Sequence, residues 1–348
     1  MKNIFRLSCV SKINCLILQL EISSEIVKVG SMFCLKMIFL EPIIKIQIYN
    51  NMKYTQVKND LLDSDNPIYT ILSSNDAPIW WHNIKNDDSL YIEIRKENYL
   101  NVYHRGGCVA RIKYHTRRKQ FEILTHPKYL GQFDKSNAQW YKRKIKKGKI
   151  EYEAIYQDSV DWLSSKEKLD KLKDNVVKIY SGDNDGEATS EKFIQGKLII
   201  NHRNKYIDSE FAYRMFDGKR NTIRIDLVKI ENGKFVFEEL KRINDGRLRT
   251  IKNDPEISDQ MLKYEEFIQQ NQEALTHYYR TLYKVKKRLS LPIPSIKDID
   301  SVSVDPNPTL LIFNNYETEG GKRANRISSM EEIFKEKNIN YTIISENL

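Results

Sequence analysis

Thr222-Ile223-Arg224-Ile225-Asp226-Leu227-Val228-Lys229-Ile230, then Glu231-Asn232-Gly233, then Lys234-Phe235-Val236-Phe237-Glu238-Glu239-Leu240-Lys241, is the stretch on which the reading of this chain turns. β-branched residues crowd the first arm and aromatics the second, and Asn-Gly between them predicts a tight hairpin turn. Side chains alternate faces along a strand, so Glu239 and Lys241 share one face while Glu238 takes the other. The hairpin can then carry Asp226, thirteen positions before Glu239, to the same place. Two carboxylates and an ammonium on one sheet are the parts of a magnesium-dependent phosphodiester cleavage site. The plain alternative is a set of charges solvating a strand end, since 30% of the residues are charged. The other acidic-x-Lys triplet, Asp217-Gly218-Lys219, sits in a glycine turn rather than on a strand.

Working outward, residues 204–216 place apolar side chains at helical spacing and predict a helix that presents Glu210 to the hairpin. Residues 256–289 read as one long helix whose start is marked by Pro255 and Glu256. On it, Gln260 and Tyr264 are four apart and share a face. Thr309-Leu310-Leu311-Ile312-Phe313 reads as a buried strand, residues 323–337 as a helix, and Tyr341-Thr342-Ile343-Ile344 as a last strand. Strand, helix and strand in succession predict an α/β unit.

This order resembles the PD-(D/E)xK nuclease superfamily over residues 195–348. The resemblance implies a restriction-endonuclease-like α/β core, a mixed central sheet flanked by helices. Glu210, Asp226 and Glu239-x-Lys241 match, in order, the family's acidic helix residue, its metal aspartate and its catalytic triplet. Gln260-Met261-Leu262-Lys263-Tyr264 looks like the Gln-x-x-x-Tyr motif of the exonuclease-like branch, which inclines the reading toward end processing. Asp226, Glu239 and the carbonyl of Leu240 would offer hard oxygen ligands to Mg²⁺, with Mn²⁺ as a substitute. Glu210 would hold a second metal or a metal-bound water, and Lys241 would position the nucleophilic water or stabilise developing charge. Gln260 and Tyr264 would order the site or touch the nucleic acid. The activity implied by the resemblance is that of a metal-dependent nuclease acting on DNA in restriction, defence or repair, with RNA as an open substrate. A non-catalytic nucleic-acid-binding protein that keeps the fold is the alternative. One departure stands out: the family has a strand between its first helix and the metal aspartate, and only one is visible between Phe216 and the turn. Either Leu198-Ile199-Ile200 supplies it, or the chain from Asn221 bends into two.

Composition agrees with a polyanionic partner. The formal charge is +10, which favours phosphate backbones. Lys142-Arg143-Lys144-Ile145-Lys146-Lys147 follows Trp140-Tyr141, and basic residues beside aromatics suit strand tracking, although a lysine run is also a common solvated turn. Lys284-Val285-Lys286-Lys287-Arg288 complements a helix C-terminus. Residues 52–150 read as a β-meander module with strands at Tyr91, Tyr99, Cys108 and Phe121, and 151–194 as a charged helical connector ending in a flexible loop at 181–187. Trp80-Trp81 is expected to pack in a core.

Residues 1–51 hold three of the four cysteines and no aspartate, and read as a disordered or non-native extension before a start at Met52. Glu21, Lys28, Lys36 and Glu41 interrupt every apolar run that could span a membrane. Four cysteines without paired spacing argue against a zinc site and a disulfide framework and predict a reduced, cytoplasmic setting. A second copy or a protein partner is compatible with all of this.

Overall fold

The computed structural model describes residues 57, 61–180, 190–214, 222–248, 256–314 and 322–345. The 1–51 segment, Met52, the 181–187 loop and the Asp217-Gly218-Lys219 turn lie outside them. Residues Tyr54–Leu348 form one compact unit.

Among the described residues two short helices come first, α1 (Pro67–Leu72) and α2 (Ile79–Lys85). Trp81 of α2 is fully buried and Trp80 stacks edge-on against Phe121 at 5.1 Å, the packing role expected of the pair. The meander follows as β1 (Leu90–Arg95), β2 (Tyr99–His104), β3 (Gly107–His115) and β4 (Gln120–Thr125). A two-stranded hairpin, β5 (Tyr141–Lys146) and β6 (Lys149–Ala154), stands apart, and β7 (Gln157–Asp158) returns to pair with β4. The connector expected to be helical is thus strand at its start, and becomes helical in α3 (Val160–Ser164) and α4 (Lys166–Tyr180).

The second half is mixed α/β. After α5 (Glu191–Asn201) come β8 (Tyr206–Arg214), β9 (Thr222–Glu231) and β10 (Lys234–Arg242), then α6 (Glu256–Gln270) and α7 (Gln272–Arg288). β11 (Ser303–Val304), β12 (Thr309–Phe313), α8 (Lys322–Glu336) and β13 (Tyr341–Ile344) complete it. The sheet runs β13-β12-β10-β9-β8, with β11 also on β10. β8, β9 and β10 are antiparallel, while β12 lies parallel to β10 and β13 parallel to β12. Asn232 and Gly233 both take positive φ, 51° and 71°, as a two-residue hairpin turn of the twist-matched kind requires. Among the described residues no helix is long and apolar enough to cross a membrane.

Three expectations are corrected. Of residues 204–216, expected to be a helix, Tyr206–Arg214 form β8 and 215–216 lie outside the described residues: Tyr206, Ile207, Phe211 and Tyr213 are strand formers, and a bulge between Tyr206 and Asp208 breaks their alternation into a pattern that mimics helical spacing. Leu198-Ile199-Ile200 lies in α5, capped by the Ser190 hydroxyl accepting the Phe193 N–H at 3.1 Å. The long helix breaks at Asn271, whose side chain accepts the Val57 N–H at 2.6 Å and donates to the Phe267 carbonyl at 2.9 Å. Such local bonding competes with helix continuation.

Burial explains the layers. Ile194, Leu198 and Ile199 of α5 pack with Leu227, Leu240, Leu311 and Phe313 in one cluster. In the other, Phe235 and Phe237 of β10 meet Tyr279 of α7, both at 5.5 Å between ring centroids. The meander is tied to this half by buried charges: Arg95 to Asp208 at 2.9 Å, Lys286 to Glu93 at 2.7 Å, and the Ser209 hydroxyl donating to Glu93 at 3.0 Å.

Candidate active site

The site forms where β9 and β10 part. Their ladder is registered from Lys234 opposite Glu231 to Glu238 opposite Leu227, and goes no further. Beyond it, the Leu240 N–H donates to the Asp226 carboxylate at 3.0 Å instead of to a backbone carbonyl. A side chain thereby closes the splay, and β10 turns its other edge to β12 from Glu238 to Arg242. Glu239 and Lys241 project to the side of α6, as their shared parity requires.

Lys241 is the hub. Its ammonium, almost fully buried, donates to the Glu239 carboxylate and, at 2.7 Å, to the Leu240 carbonyl. Asp226 Oδ2 lies 3.8 Å away and Glu191 Oε2 3.9 Å. From α6, Gln260 donates to Glu239 at 2.5 Å and to the Tyr264 hydroxyl at 2.7 Å, while that hydroxyl donates to the Arg224 carbonyl. Burial pushes the Glu239 carboxyl up to about 8, helped by the Asp226 carboxylate and opposed by Lys241. Glu191 is also raised, chiefly by burial. Glu239 Oε2 is buried with no hydrogen-bond partner.

Of the residues singled out in the sequence, Asp226, Glu239, Leu240, Lys241, Gln260 and Tyr264 are brought together. Glu210 is not on a helix. It lies on β8, between the Ser209–Leu227 and Phe211–Ile225 pairs and so level with Asp226. Its φ of 52° is rare for a residue with a side chain, and its carboxylate is held by Lys192 and, at 3.1 Å, by the Tyr103 hydroxyl. The acidic helix residue nearest Lys241 is instead Glu191, in the first turn of α5. Gln195, one turn on, donates to the Asp226 carbonyl at 2.6 Å, and Arg247 approaches Glu191 at 3.8 Å. Sequence reasoning missed Glu191, Lys192, Gln195 and Arg247. Ser190 before the apolar positions 193, 194, 198 and 199 was the available helix signal.

Glycine lets α5 come this close. A Cβ on Gly196 would meet the Gly106 nitrogen at 2.5 Å, and one on Gly106 would meet the Lys192 carbonyl oxygen at 2.1 Å. The helix thus rests backbone to backbone on the turn between β2 and β3.

Lys142, Arg143, Lys144 and Lys146 lie on exposed β5, with Lys147 in its turn. Lys144 pairs with Glu153 and Lys146 with Glu151 at 3.6 Å, so cross-strand carboxylates offset part of the charge. None of the hydrogen bonds or ion pairs around Lys241 reaches this hairpin among the described residues.

Among the described residues no group of three or more His, Cys, Asp or Glu side chains is arranged to hold a metal ion. Comparison of the chain with protein-family models, with curated proteins and with solved structures finds no match.

Proposed function

We propose that this chain is a magnesium-dependent nuclease that hydrolyses phosphodiester bonds of DNA, built on a restriction-endonuclease-like core. The observation that carries the reading is the convergence of Asp226, Glu239, the Leu240 carbonyl and Lys241 at the splay of β9 and β10. The order of elements supports it: α5 is followed by β8, β9 and β10, then by the helix pair α6 and α7, and then by β11 and β12, which return to the sheet. β8 takes the place of the strand that the sequence pattern lacked, and Glu191 that of the acidic helix residue expected at Glu210.

The donor chemistry fits Mg²⁺ or Mn²⁺. Both carboxylates and the carbonyl are hard oxygen donors, and Glu239 Oε2 is a buried acceptor still without a partner. The ion, when bound, supplies Lewis acidity and an acidified water. The chain's own residues do the rest. Gln260 fixes the Glu239 carboxylate, and the Tyr264 hydroxyl holds Gln260 in turn. Asp226 is set by the Leu240 N–H. Lys241 places a positive charge among these oxygens, where it would offset the negative charge that builds on phosphorus-bound oxygens during displacement. Non-catalytic nucleic-acid binding is the second reading, and one observation favours it: the Lys241 ammonium itself fills the space between the carboxylates.

Incubation with linear, circular and single-stranded DNA and with RNA, in Mg²⁺ or Mn²⁺ and in chelator, tests the proposal. Metal-dependent cutting that Asp226→Ala and Lys241→Ala both lose supports it, and the circular substrate reads end dependence. Absence of cutting on every substrate, with nucleic-acid binding intact in both variants, overturns it in favour of the second reading.

A further inference from the structure

A cavity of about 200 Å³ opens between the meander and β8, with Arg95, Lys96, Tyr99, Asn101, Glu210 and Arg224 among its walls. Its charges can be accounted for one by one. Arg95 is spent on Asp208 at 2.9 Å and on the Tyr103 hydroxyl at 3.2 Å. Glu210 is spent on Lys192 and Tyr103. Each acidic wall group is therefore matched. Lys96 and Arg224 are left with no carboxylate partner among the described residues. Lys96 lies over the Tyr213 ring, at 5.5 Å. Tyr99 adds an aromatic wall that already attracts cations, with the Arg111 guanidinium 4.3 Å from its centroid.

Position links this cavity to the candidate active site. Arg224 stands two residues from Asp226 on β9, on the same face and about 6.6 Å along the strand, a step comparable with the separation of neighbouring phosphates on one nucleic-acid strand. Glu210 is level with Asp226 on β8, and its partner Lys192 follows Glu191 directly in α5. The Arg224 carbonyl also accepts from Tyr264, so the cavity wall and the site share a strand segment. A cavity of about 200 Å³ has room for one base but not for a base pair, which leaves the sugar and phosphate at its mouth.

Resting on the nuclease reading above, we infer that this cavity holds an unpaired nucleotide next to the bond cleaved, so that the substrate is single-stranded DNA at the site. Lys96 and Arg224 hold its phosphate and the base lies against Tyr99. Backbone charge supplies affinity and stacking is tolerant of sequence, the combination expected of a strand reader.

The test uses the full chain with a fluorescein-labelled single-stranded dodecamer and its blunt duplex, in chelator so that binding is read without cleavage. The single strand is expected to bind at least tenfold more tightly than the duplex. The Lys96→Ala, Arg224→Ala double variant should lose at least tenfold, with the salt dependence of log K shallower by about 0.7 for the one phosphate released on a single strand. Tyr99→Leu should lose about tenfold with an unchanged slope. The charge-keeping Lys96→Arg, Arg224→Lys variant should bind like the wild type, which separates lost contacts from lost folding. Equal affinity for the duplex, or wild-type affinity and slope in the double alanine variant, overturns the inference. A parallel arm with Mn²⁺ reads cleavage. No cleavage with the binding pattern intact removes the nuclease reading and keeps the pocket. Cleavage with variants that bind normally removes the pocket alone.

Discussion

Gly196→Ala sets two physical effects against each other. In an exposed helix interior the change stabilises by about 1 kcal/mol, because alanine loses less backbone freedom than glycine. Here the new methyl would sit 2.5 Å from the Gly106 nitrogen, 2.8 Å from the Arg105 carbonyl carbon and 2.9 Å from the Arg105 Cα. All three are backbone atoms of a turn in which Gly106 already takes φ 82°. Restoring a normal contact of about 3.5 Å moves α5 outward by about 1 Å. Overpacking of this kind costs about 1–3 kcal/mol, so the net effect is a loss of about 1 kcal/mol and a Tm lower by about 2–4 °C. Glu191 and Gln195 ride on α5 and move with it. On the proposed nuclease reading, a shift of about 1 Å at groups lining the site costs on the order of 10²-fold in rate, so metal-dependent cleavage should fall far more than stability. Thermal denaturation and a cleavage time course on the same preparation check both. A Tm raised by about 2–4 °C with unchanged cleavage would refute the claim that helix–turn contact positions this side of the site.

Tyr264→Phe strips the Arg224 carbonyl of its donor and Gln260 of an acceptor; a loss of about 1–2 kcal/mol is expected in urea denaturation, and no change would mean that these bonds are replaced. Lys286→Met leaves Glu93 buried without its ion pair and should cost about 3–5 kcal/mol. Adding Glu93→Leu should recover much of that loss, and a double variant as unstable as the sum of the singles would show that the two residues are not coupled. His126 accepts the Lys128 N–H at 3.1 Å, and burial, with Lys128 and Lys135 nearby, lowers it to about 4 from 6.5. The unfolded chain then binds the extra proton first, so this contribution is present above about pH 6.5 and is lost as pH falls toward 4. Solvent screening at a half-exposed ring limits it to about 1 kcal/mol. His126→Gln should flatten the stability profile between pH 6.5 and 4, and an unaltered slope would exclude His126 as its source.

Much of the candidate site was legible because it is local. Asp226, Glu239 and Lys241 lie on two strands joined by a two-residue turn, so strand parity and Asn232-Gly233 place them without knowledge of any distant segment. Gln260 and Tyr264 share a face by helical spacing alone, and their motif pointed back to the hairpin. The meander was legible for the same reason, its strands being sequential and split by turn residues.

Tertiary structure decided what depends on segments far apart in the chain. Residues 206–214 carry buried Asp208 and half-buried Glu210, which no isolated strand would tolerate. Arg95, from the meander, and Lys192, from α5, supply the matching charges, and with them the segment becomes a strand where local periodicity gave a helix. Asn271 ends α6 through a bond to Val57, more than two hundred residues away. Glu191 enters the site because Gly196 and Gly106 let two backbones touch, and a glycine in a sequence does not declare which backbone it will meet. The sequence by itself therefore determined which chemical groups stand on the hairpin and on the helix after it. Which helix faces them, and which cavity opens beside them, depended on long-range charge pairing and close packing that only the folded chain creates.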